Sequence, residues 1–214
     1  MKYKVTDEVF YTIPRVASLV EKYSKGKILD VGCGTGEYFK HFKGDQIYGI
    51  DLEQSYFKFI RKKKFAGKKI ILKKADMRNL PFEDKSFDFI LCVLVLEYMK
   101  TNKELKTAIS EMKRVLKKGG VLIVVTPHKS RFSSFVRGKI IPKLLPTERQ
   151  DPNFIMGIPR TQEDLKQFGF KTSGCLSWVT YKAINNKTLA KMIAYFFWKV
   201  PYFAGTLIGI YKKT

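Results

Sequence analysis

The chain has 214 residues, 45% apolar and 28% charged, with 41 basic against 19 acidic side chains and a net charge of +22. These values suit one globular domain, 1–214, and the charge suits nucleic acid, an anionic membrane surface, an acidic substrate or simply a solvated lysine-rich surface. The first ten residues lack the apolar core of a signal peptide, and Cys33, Cys92 and Cys175 form no CxxC pair or Cys/His cluster. We expect a reduced, cytoplasmic protein without a metal site or disulfide framework.

The first half of the chain alternates short apolar runs with amphipathic segments. Apolar residues at helical spacing predict a helix over 8–24, and the run 27–31, which ends in a glycine-rich turn, predicts a buried strand. Further strands are predicted at 46–50, 69–72, 87–95 and 120–126, with helices at 37–42, 54–63 and 102–116. This alternation is typical of βαβ units around a parallel sheet with helices on both faces.

The pattern changes after Pro127. Residues 128–160 combine scattered prolines with apolar and basic side chains, and we predict a lid-like insertion there that folds over a substrate. A helix at 161–168, a strand at 171–179, a helix at 186–200 and a strand at 203–211 complete the prediction. Lysine, proline and glycine interrupt the apolar run 193–211, so we expect no membrane span, although contact with a membrane surface stays open.

The sharpest motif is the loop Asp30-Val31-Gly32-Cys33-Gly34-Thr35-Gly36. Glycines after a buried strand permit a tight turn and the close approach of a ligand to the backbone. A phosphate-binding loop would continue with Gly-Lys-Ser/Thr, and a dinucleotide loop would carry the spacing GxGxxG; Glu37 fits neither. Asp30 and Glu37 bracket the loop with negative charge, which favours a cationic ligand such as a sulfonium over a pyrophosphate.

This loop resembles the first motif of the class I S-adenosylmethionine-dependent methyltransferases. Four further segments resemble later motifs of the family in the expected order, at 47–51, 75–82, 87–93 and 115–120. The resemblance covers about 26–126 and is of the small-molecule type, similar to the ubiquinone/menaquinone-biosynthesis group. It implies an α/β fold with a doubly wound seven-stranded sheet, order 3-2-1-4-5-7-6, with strand 7 antiparallel and helices on both faces. It also implies S-adenosylmethionine as cofactor and S-adenosylhomocysteine as product.

The resemblance further implies cofactor-binding residues. Asp51 would accept the ribose hydroxyls beside Leu52, Asp76 would accept the adenine amino group with Met77 near the ring, and Asp30 would bind the methionine ammonium. The remaining predicted cofactor contacts are Gly32, Cys33, Gly34, Gly36, Val93 and Tyr11. Simpler roles remain open: a helix N-cap for Asp51, a turn before Pro81 for Asp76, loop bracing for Asp30 and core packing for Tyr11.

The segment after the fourth predicted strand gives less information about the acceptor. It has neither the Asn/Asp-Pro-Pro-aromatic motif of amino-methylating enzymes nor the Pro-Cys of cytosine-C5 enzymes. A base is needed only for a protonated acceptor atom, and Glu97, Tyr98 and His128 are the catalytic candidates. We expect a small or lipid-like acceptor.

Two other functions remain open. An RNA methyltransferase would use the positive charge, but no separate RNA-binding module is evident, and we expect the basic run over 58–74 to be a solvated face away from the ligand crevice. A non-catalytic regulator that binds S-adenosylmethionine would share the same fold.

Overall fold

The computed structural model describes residues 14–65, 67–129, 158–175 and 206–214. The strands in these ranges are β1 Lys27–Val31, β2 Gln46–Asp51, β3 Lys69–Lys74, β4 Phe87–Val93, β5 Leu116–Pro127, β6 Lys171–Cys175 and β7 Thr206–Lys212. The helices are α1 Pro14–Tyr23, α2 Phe57–Lys62, α3 Asn102–Val115 and α4 Gln162–Lys166.

The strands form one seven-stranded sheet in the order β3-β2-β1-β4-β5-β7-β6. Strands β1 to β5 pair in parallel, whereas β7 is antiparallel to both β5 and β6. The predicted fold class is therefore confirmed. The carboxyl ends of β1, β2 and β4 lie at one edge of the sheet, where Val31 is paired with Ile50 and Cys92, and the loops that follow them meet there.

Each face of the sheet is covered by helix, because successive side chains of a strand point to opposite faces. Leu29 and Val31 pack in one cluster with the apolar stripe of α3, whereas Ile28 packs on the other side with α1 and α2. Both sets of side chains are almost fully buried. The near-continuous apolar runs of β1 and β4 reflect this burial on two faces.

The helix predicted at 37–42 is wrong: this stretch contains only a 3-10 turn, Phe39–His41. The chain must return from the carboxyl end of β1 to the amino end of β2 within fourteen residues. Extended backbone spans this distance in fewer residues than an α-helix, because its rise per residue is larger. Lys68 stabilises the turn, since its ammonium donates to the carbonyls of Phe39 (2.9 Å) and Phe42 (2.7 Å).

Strand β4 ends at Val93 rather than at the predicted residue 95, because Leu94 has a φ of +57°. This left-handed conformation is uncommon for a side chain such as leucine and breaks the strand. The predicted helix over 54–63 likewise begins with a 3-10 turn, Gln54–Tyr56, before α2.

Several predictions lie outside the described residues. They are Tyr11, the start of the first helix, most of the insertion 128–160 and the helix at 186–200. The two ends of the insertion are described, and they lie side by side as a parallel bridge between His128 and Arg160. Among the described residues, no helix has the length and apolarity to cross a membrane, and no group of three acidic, histidine or cysteine side chains could hold a metal ion.

Candidate active site

The glycine loop after β1 is fixed by hydrogen bonds to β2. The backbone N–H groups of Gly32 and Cys33 donate to the Ile50 carbonyl at 2.8 and 2.9 Å. Beyond them, the N–H of Gly34 donates to Asp51 Oδ2 at 2.9 Å. Asp51 therefore anchors the loop, in addition to accepting the N–H of Glu53 on Oδ1 at 2.9 Å. Glu53, rather than Asp51, caps the turn that follows, since its side chain accepts from Ser55 N.

Two of the loop glycines have quite different surroundings. A Cβ on Gly32, where φ is +69°, would lie 2.2 Å from Val95 Cγ2, so close packing against the β4 loop requires glycine. A Cβ on Gly34, where φ is +49°, would meet no atom within 4 Å. The loop thus presents bare backbone to open space at the carboxyl edge of the sheet, where a ligand can approach it closely.

Two acidic side chains at this edge, Asp30 and Asp51, lie where the ionised carboxylate is disfavoured. Burial, together with the neighbouring Asp51 carboxylate, raises the pKa of Asp30 well above its usual range. Burial also raises the pKa of Asp51, despite its hydrogen bonds from backbone N–H groups. Two carboxyl groups with raised pKa values favour a bound cation, since a positive charge restores their ionised forms.

Glu37 contributes less to this negative field than the sequence suggested. Lys63 Nζ lies 2.7 Å from Glu37 Oε1 and also donates to the Thr35 carbonyl at 3.0 Å. This ion pair offsets the charge of Glu37, and the contact with the Thr35 carbonyl stabilises the loop. Lys63 belongs to the basic run that we expected to be a solvated face, so part of that run has a structural role.

Cys33, in the loop, and Cys92, on β4, are buried thiols. Burial is the main cause that raises the pKa of each well above its usual value. Neither thiol therefore has the low pKa expected of a nucleophilic cysteine.

At the predicted adenine side of the site, Asp76 belongs to a hydrogen-bonded ion-pair network with Arg78 and Glu104. Asp76 is paired with Arg78, whose Nη2 lies 2.6 Å from Asp76 Oδ2, and Asp76 Oδ1 accepts the Arg78 N–H at 2.8 Å. Arg78 also contacts Glu104 at the start of α3. The pKa of Asp76 is lowered, chiefly by its hydrogen bond from Arg78. Asp76 therefore stabilises the turn before Pro81, the alternative role that the sequence left open for it.

The other predicted cofactor residues lie around the same edge. Met77 is buried, Val93 is the half-buried last residue of β4, and Gly36 has a φ of +73° beside Ile60. Leu52 follows Asp51 and is 59% exposed, which is unusual for a large apolar side chain. An exposed leucine next to the half-buried carboxyl of Asp51 suits a ligand with an apolar ring and polar edges.

Glu97 lies in the turn after β4 and is 5% exposed. Burial raises its pKa to about 7, although the charge of Arg160 opposes the shift. Its Oε2 has no hydrogen-bond partner among the residues that the structure describes. The adjacent Tyr98 is 55% exposed. A buried carboxyl that titrates near neutral pH has the property required of a general base.

From the sequence, Arg160 is one of several basic residues in 128–160 that are expected to meet a substrate; its contacts with the turn after β4 were not predicted. It is 4% exposed, and so is His128, its partner in the backbone bridge at the end of β5. Arg160 is separated by more than sixty residues from the carbonyls that it contacts, those of Leu96 and Met99. No local pattern around Pro159 and Arg160 could have revealed a contact over that distance.

Comparison with known proteins identifies the family. Residues 29–124 match the methyltransferase domain family. An uncharacterised protein of Methanocaldococcus jannaschii is 32% identical over 167 residues, which cover 77% of this chain and 74% of that protein. The chain belongs to the class I S-adenosylmethionine-dependent methyltransferases. S-Adenosylmethionine is accordingly the cofactor of this methyltransferase.

Similar methyltransferases differ in their acceptors. The tRNA (carboxymethyluridine(34)-5-O)-methyltransferase of Arabidopsis thaliana is 30% identical over 171 residues, covering 72% of this chain but only 41% of that enzyme. The magnesium protoporphyrin IX methyltransferase of Synechocystis shares the fold, with a TM-score of 0.61 at 16% identity over 94% of this chain and 81% of that one. The next relatives extend well beyond the matched region, since this chain spans only about 41–51% of their length.

The residues at the carboxyl edge fit this cofactor. The open space at Gly34 admits a ligand against the backbone, and the buried Asp30 carboxyl provides a counter-charge for an ammonium or sulfonium group. Asp51 and Leu52 lie at the carboxyl end of β2, at the same edge of the sheet. Asp76 could accept from adenine only if it exchanged part of its contact with Arg78.

Proposed function

We propose that this methyltransferase methylates a protonated oxygen or nitrogen of a small or lipid-like acceptor, with Glu97 as the general base. S-Adenosylmethionine supplies a methyl group that is already activated, so the chain's own task is to align the acceptor and to remove its proton. The raised pKa of Glu97, about 7, is the observation that carries this proposal. A carboxylate with a pKa near the working pH is both ionised and basic enough to accept a proton.

Glu97 also lies in a suitable place. The turn that contains it follows β4 directly, and β4 is the neighbour of β1, whose loop carries Gly34. Tyr98 is exposed beside it and can contact an acceptor, and His128 at the end of β5 is a further residue near the same edge. Asp30, Gly32, Cys33, Gly34, Gly36, Asp51, Leu52, Asp76, Met77 and Val93 would bind the cofactor.

Replacement of Glu97 tests the proposal. Extract fractions containing small molecules, lipids, protein or RNA are incubated with S-adenosylmethionine labelled in the methyl group, and the labelled acceptor is then used for kinetics. We expect Glu97→Gln to lower kcat roughly 10²–10⁴-fold, the contribution typical of a general base, without changing cofactor affinity. The matched control is Glu83→Gln, at an exposed glutamate between β3 and β4. Wild-type kcat in Glu97→Gln would exclude Glu97 as the base.

The pH dependence supplies a second measurement. Because a base must be ionised to accept a proton, kcat should fall as the pH drops through about 7. Glu97→Gln should lose this acidic limb, whereas Glu83→Gln should retain it.

RNA is the second candidate acceptor. The net charge of +22 and the similarity to a tRNA methyltransferase favour it. Label found mainly in RNA, in a reaction that slows steeply with added salt, would support this alternative. Label found in the small-molecule or lipid fraction, in a reaction whose rate does not depend on salt, would support the first proposal.

A further inference from the structure

Arg160 donates to both sides of the turn that contains Glu97. Its Nη2 lies 2.9 Å from the Leu96 carbonyl and 2.5 Å from the Met99 carbonyl. These two carbonyls flank Glu97 in sequence, so one guanidinium nitrogen closes the turn around the base. The geometry suits arginine because its planar group can hold several acceptors in fixed directions.

The backbone around Arg160 ties the same turn to β5. The Ile158 N–H donates to the Glu97 carbonyl at 2.7 Å, and the Arg160 N–H donates to the Pro127 carbonyl at 2.9 Å. The ends of β4 and β5 are thus connected through residues 158–160. Arg160 is the side chain at this junction that reaches the Glu97 turn, and it is buried.

The charged and titratable groups around Glu97 come from several parts of the chain. Arg160 favours the ionised carboxylate, and burial opposes it. On β4, the buried Cys92 thiol interacts electrostatically with Glu97 and is itself kept protonated. His128 forms the backbone bridge with Arg160 at the end of β5, and Tyr98 follows Glu97 in the turn. Asp164 on α4 interacts electrostatically with Arg160.

The geometry assigns to Arg160 the role of a positioning residue: it holds the turn Leu96–Met99, and with it the Glu97 carboxyl, in the orientation needed to take a proton from the acceptor. This inference rests on the proposed role of Glu97. Arg160 acts through the two carbonyls and through its charge, and it need not touch the acceptor.

Two substitutions separate the contacts of Arg160 from its charge. Arg160→Lys keeps the charge, but the lysine side chain is one bond shorter than the path to Nη2, so its ammonium cannot reach both carbonyls at the same distances. We therefore expect kcat to fall roughly ten- to hundredfold, the cost of a misplaced catalytic group. The acidic limb of its pH profile should stay near the wild-type position. Arg160→Met removes both the charge and the carbonyl contacts, so kcat should fall further. The acidic limb of the pH profile should also move to higher pH, because loss of the positive charge raises the pKa of Glu97. Arg61→Met, at an exposed arginine on α2, is the matched control.

Two readouts keep this test separate from that of Glu97. Cofactor affinity should stay within about twofold of wild type in both variants, which a general loss of folding would not allow. Carboxyl ¹³C NMR should report a higher Glu97 pKa in Arg160→Met than in wild type. An Arg160→Lys enzyme with wild-type kcat would overturn the positioning role even if Arg160→Met does not fold. Full activity of Glu97→Gln would instead overturn the proposed base.

Discussion

Gly34 is the residue at which the cofactor's approach can be tested most directly. A side chain there would enter open space, so it can displace a ligand without clashing with the protein. We expect Gly34→Val to abolish S-adenosylmethionine binding in calorimetry. The left-handed φ of +49° adds a small strain but should leave the protein folded by circular dichroism.

The chain contains a matched control for this substitution. Gly119 also has a left-handed φ, +75°, and a Cβ there likewise meets nothing within 4 Å. It lies near the start of β5, far along the strand from the carboxyl edge. Gly119→Val should show the same backbone strain with normal cofactor binding. Equal loss of binding in both variants would mean that strain, and not occupation of the cofactor's space, explains the effect.

The sequence could predict residues whose function depends on a local motif. Gly32 and Gly34 follow β1 and Asp51 is the last residue of β2, so their convergence at one edge is a direct result of parallel pairing. The partners of Asp76, Glu37 and Glu97 depend on side chains elsewhere in the chain. Lys63 reaches Glu37 across 26 residues, for example. Such contacts are determined by how the helices pack, which the periodicity of a single segment does not contain.

At the scale of elements, α3 holds the segment between β3 and β4 in place. Arg114 on α3 makes two hydrogen bonds to Glu111, at 2.7 and 2.8 Å, and also donates to the carbonyls of Phe82 and Leu80 at 2.8 and 3.0 Å. Glu111 Oε2 in turn accepts the N–H of Leu80 at 2.8 Å. This network fixes the loop that begins with Asp76 and Met77.

Arg114→Met should therefore lower stability and loosen that loop. We expect a decrease of about 1–2 kcal/mol in the free energy of unfolding, because several charge-assisted hydrogen bonds are lost but the side chain is partly solvated. Amide hydrogen exchange should accelerate at residues 77–82. Lys103→Met, at an exposed lysine of the same helix, controls for the loss of a positive charge. Equal stability of the two variants would count against the network.

Predicted elements were most accurate where burial imposes the pattern. The five parallel strands and α3 agree with their predicted positions to within a few residues, since strands covered on both faces must be almost wholly apolar. The segment 37–42 failed because its two phenylalanines, Phe39 and Phe42, anchor a short return path and not a helix face. Helical spacing of two aromatic residues is too weak a signal to distinguish these cases.

At the scale of the whole molecule, three carboxyl groups that are shielded from water should make the stability of the cofactor-free protein depend on pH. Asp30, Asp51 and Glu97 have raised pKa values in the folded state. Each binds its proton more tightly when folded, so its contribution is fully present below the unfolded pKa, about 4, and is lost as the pH rises through the folded value. For Glu97, the stabilising contribution is lost between a pH of about 4 and its folded pKa of about 7. Asp76, Asp88 and Glu111 have lowered pKa values and act in the opposite sense, in stronger acid.

Urea unfolding between pH 5 and 8 measures this dependence. We expect Asp30→Asn to be more stable than wild type at pH 8 and to lose that advantage at pH 5, because the amide needs no proton to remain neutral. S-Adenosylmethionine should raise the stability of the wild-type protein at pH 8 and should raise that of Asp30→Asn much less. Asp45→Asn, at an exposed aspartate just before β2, is the control. Parallel stability curves for wild type and Asp30→Asn would contradict the electrostatic account of the cofactor site.

The bridge between His128 and Arg160 has a consequence for how this architecture diversifies. The Lys129 N–H donates to the Arg160 carbonyl at 2.8 Å, so the residues on either side of the segment 130–157 are hydrogen-bonded neighbours. Closing a loop between fixed neighbours becomes only about 0.6 kcal/mol more costly for each doubling of its length. Recombination can therefore exchange the intervening stretch as a cassette, of almost any length, while the sheet keeps its register. A lineage can in this way acquire new substrates without rebuilding the half of the enzyme that binds the methyl donor.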